Sequence, residues 1–178
     1  QADRYGLSPV AKHFLAGQLR HARAMCAILS PLVNSYKRLR TSFEAPTRVT
    51  WAQVNRAALI RVPHVLVGKE AHTRLELRCP DPSCNPYLAT AVMLATGLEG
   101  LREQVTLPEP LEESLPSQEK QQRHRQIEEL PASLAEALVA FQDDEVMNGA
   151  LGLYISDRYS DAKRQEIEEY NRQVTRWE

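Results

Sequence analysis

The chain has 178 residues, which is enough for one sizeable hydrophobic core and short for two, so we expect a single domain. Apolar residues make up 43% and charged residues 25%, a balance that favours neither a disordered nor a membrane class. The formal charge is −1, with 22 basic and 23 acidic residues, so neither nucleic acid nor a membrane surface is an expected partner.

The compartment is predicted from two sequence features. No apolar run reaches the roughly 18 residues of a membrane span, and the start of the chain has no signal-peptide pattern. The three cysteines form an odd set, which is more easily tolerated where thiols stay reduced. We therefore expect a cytoplasmic protein.

The N-terminal segment has the pattern of an amphipathic helix. Ser8 followed by Pro9 is a typical cap and first helical residue, and apolar residues recur at helical spacing to about residue 29. Pro31 is predicted to end this helix. The polar residues 34–38 are expected to form a connector.

Three short strands are predicted next, at residues 48–51, 57–62 and 73–78, where β-branched, aromatic and alternating residues occur between turn signals. In the third strand every second residue points the same way. Three charged side chains are therefore expected on one face, opposite Leu75 and Leu77: Arg74, Glu76 and Arg78.

The second half of the chain is predicted to be mainly helical. Asn85 and Pro86 should open a helix to about residue 100, and its nearly uniform apolar character predicts that it is buried. Residues 107–130 lack periodicity and should form an exposed loop. Ser133 and Ser160 are expected to cap two further helices. The predicted fold class is α+β, with a small antiparallel sheet flanked by helices.

The segment between residues 36 and 81 is rich in arginine and lysine, with few acidic residues among them. Guanidinium groups bind carboxylates and phosphates through paired hydrogen bonds, so this pattern suits a ligand that carries several such groups. Glu76, between two arginines, is suited to Mg²⁺ or Mn²⁺, which prefer oxygen ligands. The alternative is a solvated sheet face with ordinary ion pairs, each contributing about 0 to 1 kcal/mol.

Six blocks of sequence, taken in order, favour a ligand-binding face over an ordinary solvated face. They begin at Asn34, Phe43, Trp51, Ile60, Leu75 and Pro80 and read NSYKRL, FEAP, WAQVNR, IRVP, LELR and PDPSCNPYLA. Together they closely resemble successive blocks of the bacterial and archaeal type I glutamine synthetases. The resemblance implies the glutamine synthetase/guanido kinase-like catalytic fold. It also implies ligation of ammonia to L-glutamate through a γ-glutamyl phosphate, with ATP as co-substrate and Mg²⁺ or Mn²⁺ as cofactor.

The resemblance also implies roles for individual residues. Arg38 and Arg78 would bind glutamate, and Glu44 would close a flap over it and accept a proton from ammonium. Arg56 and Arg61 would contact the ATP phosphates, with Arg56 and Glu44 as the catalytic pair. Lys69 and Arg74 would complete the nucleotide site, and Glu76 would bind the metal.

Residues 1–178 would be the C-terminal part of the catalytic domain. The N-terminal β-grasp domain and the first part of the catalytic domain would be absent, so this segment alone is expected to be inactive. The implied assembly is a homododecamer of two hexameric rings. Two alternatives stay open: a glutamate–amine ligase of the γ-glutamylpolyamine type, and an inert glutamine synthetase-like subunit.

Overall fold

The fold combines helices with one small sheet. A computed structural model describes residues 3–41, 45–112 and 126–174, and in these ranges the chain forms seven α-helices and a three-stranded sheet. The elements in chain order are α1 (Pro9–Arg20), α2 (Ala22–Leu29), α3 (Val33–Thr41), β1 (Trp51–Ala52), β2 (Ile60–Arg61), β3 (Glu76–Leu77), α4 (Pro86–Arg102), α5 (Leu134–Gln142), α6 (Glu145–Leu151) and α7 (Leu153–Asn171). The predicted α+β class is confirmed.

The N-terminal helix begins where the sequence predicts but is divided in two. Ser8 caps α1, and its hydroxyl accepts a hydrogen bond from the Ala11 N–H at 3.2 Å. His21 leaves the helical conformation, with φ −99° and ψ 10°, and separates α1 from α2. Its ring is buried against distant carboxylates, so a tertiary contact explains a break that local sequence does not encode.

Two predictions about the next helices are wrong. The expected polar connector at residues 34–38 is part of α3, where Tyr36 and Leu39 are buried at i, i+3 spacing. The cap at Asn85 is confirmed, but α4 is not buried all round: the side chains of Leu94 and Leu98 are each 51% exposed. One face of α4 packs on α1, and the opposite face is open.

The α1–α4 crossing depends on glycine. A Cβ on Gly17 would lie 2.2 Å from the Thr96 carbonyl oxygen, and one on Gly100 would lie 2.2 Å from the His13 carbonyl oxygen. Both contacts are with backbone, so no rotamer change would relieve them. The two helices therefore approach so closely only because neither position carries a side chain.

The C-terminal helices differ from the prediction at their starts. Ser133 caps α5 as expected, accepting from the Glu136 N–H at 3.2 Å. Helix α6 was not foreseen, and α7 begins at Leu153 rather than at Ser160, which is buried inside it. Gly152, with φ +78°, provides the left-handed turn between them. Among the described residues, no helix is long and apolar enough to cross a membrane.

The sheet is mixed rather than antiparallel. β2 and β3 are antiparallel as predicted, whereas β1 pairs with β2 in parallel, with Trp51 opposite Ile60. Because β1 and β2 run in the same direction, residues 53–59 between them must reverse the direction of the chain twice. The carboxylate of Glu112 accepts hydrogen bonds from the N–H groups of Gln53 and Val54, at 2.8 and 3.1 Å, which satisfies the backbone where it leaves β1.

A charged cluster ties α4 and α6 to the α1–α2 junction. The Nδ1 atom of His21 lies 2.6 Å from an Asp144 carboxylate oxygen, and its Nε2 atom lies 3.4 Å from Glu99. Arg20 pairs with the other Glu99 oxygen at 2.9 Å. Burial alone would lower the pKa of His21, but the hydrogen bonds and charges of Asp144 and Glu99 raise it.

We expect replacement of His21 by asparagine to lower the free energy of unfolding by about 3 kcal/mol at pH 6, since the largely buried carboxylate of Asp144 loses its cationic partner and that of Glu99 keeps only Arg20. Because the folded-state pKa of His21 is raised, its contribution is complete below the unfolded-state pKa of about 6.5 and is lost as pH rises through the folded value. Urea unfolding at pH 6 and pH 9 should show the difference between wild type and variant shrinking at the higher pH. An equal difference at both pH values would contradict this account.

Candidate active site

A charged pair lies on the exposed face of the sheet. Arg61 of β2 and Glu76 of β3 are opposite each other in the strand register, and the Nη1 atom of Arg61 is 3.4 Å from a carboxylate oxygen of Glu76. Leu75 and Leu77 pack against the core, as the predicted alternation requires. The side chains of Arg61 and Glu76 are 41% and 42% exposed, so this face is open to a ligand.

Arg56 is held at the turn before β2 by its neighbour Asn55. The buried Asn55 side chain accepts from the Ala57 N–H and donates to the Leu111 carbonyl oxygen, both at 2.9 Å. This fixed turn presents Arg56 to solvent at the same edge from which β2 starts. Asn55 was not among the site residues predicted from the sequence, although asparagine commonly closes such turns through its own side chain.

Arg38 is bound to the chain that follows β3, next to Arg78. The Nη2 atom of Arg38 donates to the Cys79 carbonyl oxygen at 2.9 Å, although the two residues are far apart in sequence. Arg78 is anchored by its backbone N–H, which donates to the Leu59 carbonyl oxygen at 2.9 Å. The guanidinium of Arg38 is therefore bound to the residue next to Arg78.

Lys69 and Arg74 lie on the segment between β2 and β3. This segment contains a short 3-10 turn at Glu70–His72, preceded by Gly68 at φ +83°. Both basic side chains are exposed. The structure thus pairs Arg61 with Glu76 and anchors Arg38 beside Arg78, and it leaves Lys69 and Arg74 projecting from a loop. Glu44 lies outside the described residues.

A divalent cation would find one suitable ligand on this face. The carboxylate of Glu76 is a hard oxygen donor of the kind that Mg²⁺ and Mn²⁺ prefer. In the described ranges no group of three or more histidine, cysteine, aspartate or glutamate side chains is placed to hold a metal ion. Glu76 therefore fits as one ligand of a shared site, in which phosphate oxygens, water or other carboxylates supply the rest.

The family follows from comparison with known sequences. The family model described as "Glutamine synthetase, catalytic domain" matches residues 1–178. The chain belongs to this family. The resemblance found in the sequence blocks is thereby confirmed.

Glutamine synthetases from microorganisms are similar to this member of the family over nearly its whole length. The protein from Methanocaldococcus jannaschii is 46% identical over 174 residues, which cover 97% of this chain and 38% of that protein. The protein from Thermus thermophilus is 45% identical over 175 residues, which cover 98% of this chain and 39% of that protein. The chain therefore spans about two fifths of the length of these glutamine synthetases.

Solved structures agree with the fold of this glutamine synthetase family member. The structure titled "Apo GmaS without ligand" superposes with a TM-score of 0.83 at 36% identity, covering 99% of this chain and 39% of that one. A second structure, titled "GmaS/ADP complex-Conformation 1", gives the same TM-score at 34% identity. The architecture of helices around a small sheet is thus shared with members of known structure.

Proposed function

We propose that this chain supplies part of the active site of a glutamate–ammonia ligase, which joins ammonia to L-glutamate at the expense of ATP. The observation that carries the proposal is the Arg61–Glu76 pair on an open, arginine-rich sheet face. The match of residues 1–178 to the glutamine synthetase catalytic domain supports it. The order of the six sequence blocks supports assigning the chain to the C-terminal part of that domain. Because it spans about two fifths of the length of its relatives, we expect the rest of the site elsewhere in a longer protein.

The nucleotide would lie along the basic side of the face. Arg56 and Arg61 would bind the ATP phosphates, and their fixed charges would stabilise the γ-phosphoryl group as it transfers. Lys69 and Arg74, exposed on the connecting loop, would reach the same nucleotide. The ADP complex of GmaS supports nucleotide binding by this architecture.

Glutamate would be held by Arg38 and Arg78, whose planar groups match carboxylate oxygens. Its side-chain carboxylate oxygen would attack the γ-phosphorus of ATP, with ADP leaving, to give γ-glutamyl phosphate. Ammonia would then attack the acyl carbon, with loss of phosphate. We assign Glu44 to the flap that excludes water from the acyl phosphate and to acceptance of the ammonium proton.

The cofactor we propose is Mg²⁺ or Mn²⁺, with Glu76 as the ligand from this chain. When bound, such an ion offsets phosphate charge. The carboxylate of Glu76 lies 3.4 Å from the guanidinium of Arg61, so the same face would carry a cation ligand beside a phosphate ligand. That arrangement suits a metal–nucleotide complex better than either group alone.

The reaction is tested by phosphate release from ATP and glutamate in the full-length protein that contains this chain. We expect release that depends on ammonia, with glutamine as the product by mass spectrometry. Parallel reactions use methylamine, putrescine or no amine, and a reaction without glutamate is the control. Release that requires putrescine or methylamine would instead indicate the glutamate–amine ligase, and no release with any amine would indicate an inert subunit.

The cytoplasmic location and the homododecamer of two hexameric rings remain predictions of the family resemblance. Exposed apolar side chains at the start of α7 support assembly, since Leu153 and Tyr154 are 76% and 74% exposed. A native mass of a monomer for the full-length protein would contradict the dodecamer.

A further inference from the structure

A buried carboxylate lies behind the arginine that we assign to glutamate. Asp81 is 9% exposed, and one of its carboxylate oxygens accepts from the N–H of Ser83 at 2.8 Å and from the Ser83 hydroxyl. The other oxygen accepts from the hydroxyl of Ser35. The backbone N–H of Asp81 donates to the Leu29 carbonyl oxygen at 2.9 Å. Asp81 is thereby bound to its own loop, to the end of α2 and to α3.

The contact with Ser35 matters because Ser35 lies on α3, three residues before Arg38. Residues at this spacing share a helix face, so fixing Ser35 also fixes the point from which Arg38 extends. The far end of Arg38 is fixed separately, because its guanidinium donates to the Cys79 carbonyl oxygen. That oxygen also accepts from the buried Ser30 hydroxyl at 2.9 Å.

Both anchors of Arg38 belong to residues 79–81, the segment that directly follows Arg78. Cys79 holds the guanidinium, and Asp81 holds the helix through Ser35. Both anchors of Arg38 are therefore within three residues of Arg78, whose own Nη1 atom lies 3.5 Å from the Ala58 carbonyl oxygen. A misplacement of about 1 Å at such a site is enough to weaken productive binding by large factors.

We propose that Asp81 is a positioning residue that sets the distance between Arg38 and Arg78 and thereby the affinity for glutamate. The proposal deepens the proposed function and rests on it. The carboxylate stays charged at neutral pH: burial alone would raise its pKa, but hydrogen bonds from Ser35 and Ser83 and the charge of Arg38 lower it. Asp81 thus holds α3 with a charged acceptor, which is the stronger kind of hydrogen bond.

The competing account is that Asp81 only stabilises the loop, since its bonds to Ser83 form a local turn of the kind aspartate often makes. The two accounts predict different effects of replacing Asp81. A structural role would lower thermal stability and affect all substrates alike. A positioning role would act on glutamate and leave ATP binding unchanged, since the arginines of the nucleotide site are anchored through Asn55 and the sheet.

The test uses Asp81→Asn and Ser35→Ala in the full-length protein that contains this chain. We expect KM for glutamate to rise by about tenfold in Asp81→Asn and by about threefold in Ser35→Ala, with KM for ATP within about twofold of wild type. Ser133→Ala, which removes the cap of α5 and none of the contacts of Asp81, is the control for lost stability. Its thermal midpoint should fall while its KM for glutamate stays unchanged.

Equal rises in KM for glutamate and ATP, or a glutamate KM unchanged in both variants, would overturn the proposal. If Asp81→Asn does not fold, Ser35→Ala alone decides, because it keeps the charge and removes the link to α3. A wild-type protein without glutamate-dependent phosphate release would instead overturn the proposed function on which this inference rests.

Discussion

Replacement of Gly17 by alanine is expected to lower the free energy of unfolding by more than about 3 kcal/mol. The new Cβ would lie 2.2 Å from the Thr96 carbonyl oxygen and 2.7 Å from the Cα of Gly100. These are backbone atoms of α4, so α1 and α4 must move apart along their contact. Alanine favours a helix over glycine by about 1 kcal/mol, which is too little to offset the lost packing.

A matched control for Gly17 is Gly149 in α6, where a Cβ would meet nothing within 4 Å. Gly149→Ala should leave the protein as stable as wild type or more stable by up to about 1 kcal/mol. Urea unfolding followed by circular dichroism compares the two variants. If Gly17→Ala unfolds at the same urea concentration as Gly149→Ala, the close crossing of α1 and α4 is not a determinant of the fold.

The features predicted correctly from sequence are the ones that local chemistry decides. Ser8, Asn85 and Ser133 each cap a helix through a side-chain oxygen, and Leu75 and Leu77 lie on the core side of a strand. In each case the residue and its immediate neighbours contain the whole physical cause. Such features need no knowledge of the distant chain.

The features missed depend on contacts between distant residues. His21 interrupts a helical pattern because it meets Asp144, which is remote in sequence. The turn that follows β1, which brings β2 alongside it in parallel, is hydrogen-bonded to the distant Glu112. The polar composition of α3 did not indicate a helix, because its buried side chains between residues 33 and 39 are Tyr36, Leu39 and the small Ser35. No periodicity in one segment contains this information.

The candidate site likewise has features that local sequence predicted and features that depend on distant contacts. The alternation in β3 predicted that Glu76 stands on the charged face, and the family blocks supplied its proposed role. Its pairing with Arg61 required the register of β2 and β3. The anchoring of Arg38 on Cys79 required α3 to pack beside the chain that follows β3. The proposed roles therefore come from the sequence, whereas the contacts that fix the arginines required the structure.

Replacement of Glu76 by glutamine is expected to reduce kcat by at least about 100-fold in the full-length protein. Glutamine keeps the size of the side chain and an oxygen that still accepts from Arg61, but it removes the negative charge that a divalent cation requires. KM for glutamate should change little, in contrast to Asp81→Asn. Phosphate release at saturating ATP, glutamate and ammonia measures the effect.

Stability separates this role from that of an ordinary ion pair. Both side chains of the Arg61–Glu76 pair are more than a third exposed, so as a structural contact it contributes only about 0 to 1 kcal/mol. Glu168→Gln removes an ion pair of similar length but greater exposure, that of Glu168 with Arg172 at 3.5 Å on α7. Both variants should melt within a few degrees of wild type. Only Glu76→Gln should lose turnover, because Glu76, unlike Glu168, lies among the arginines of the sheet face. Equal activity in the two variants would support the alternative that this face is an ordinary solvated surface.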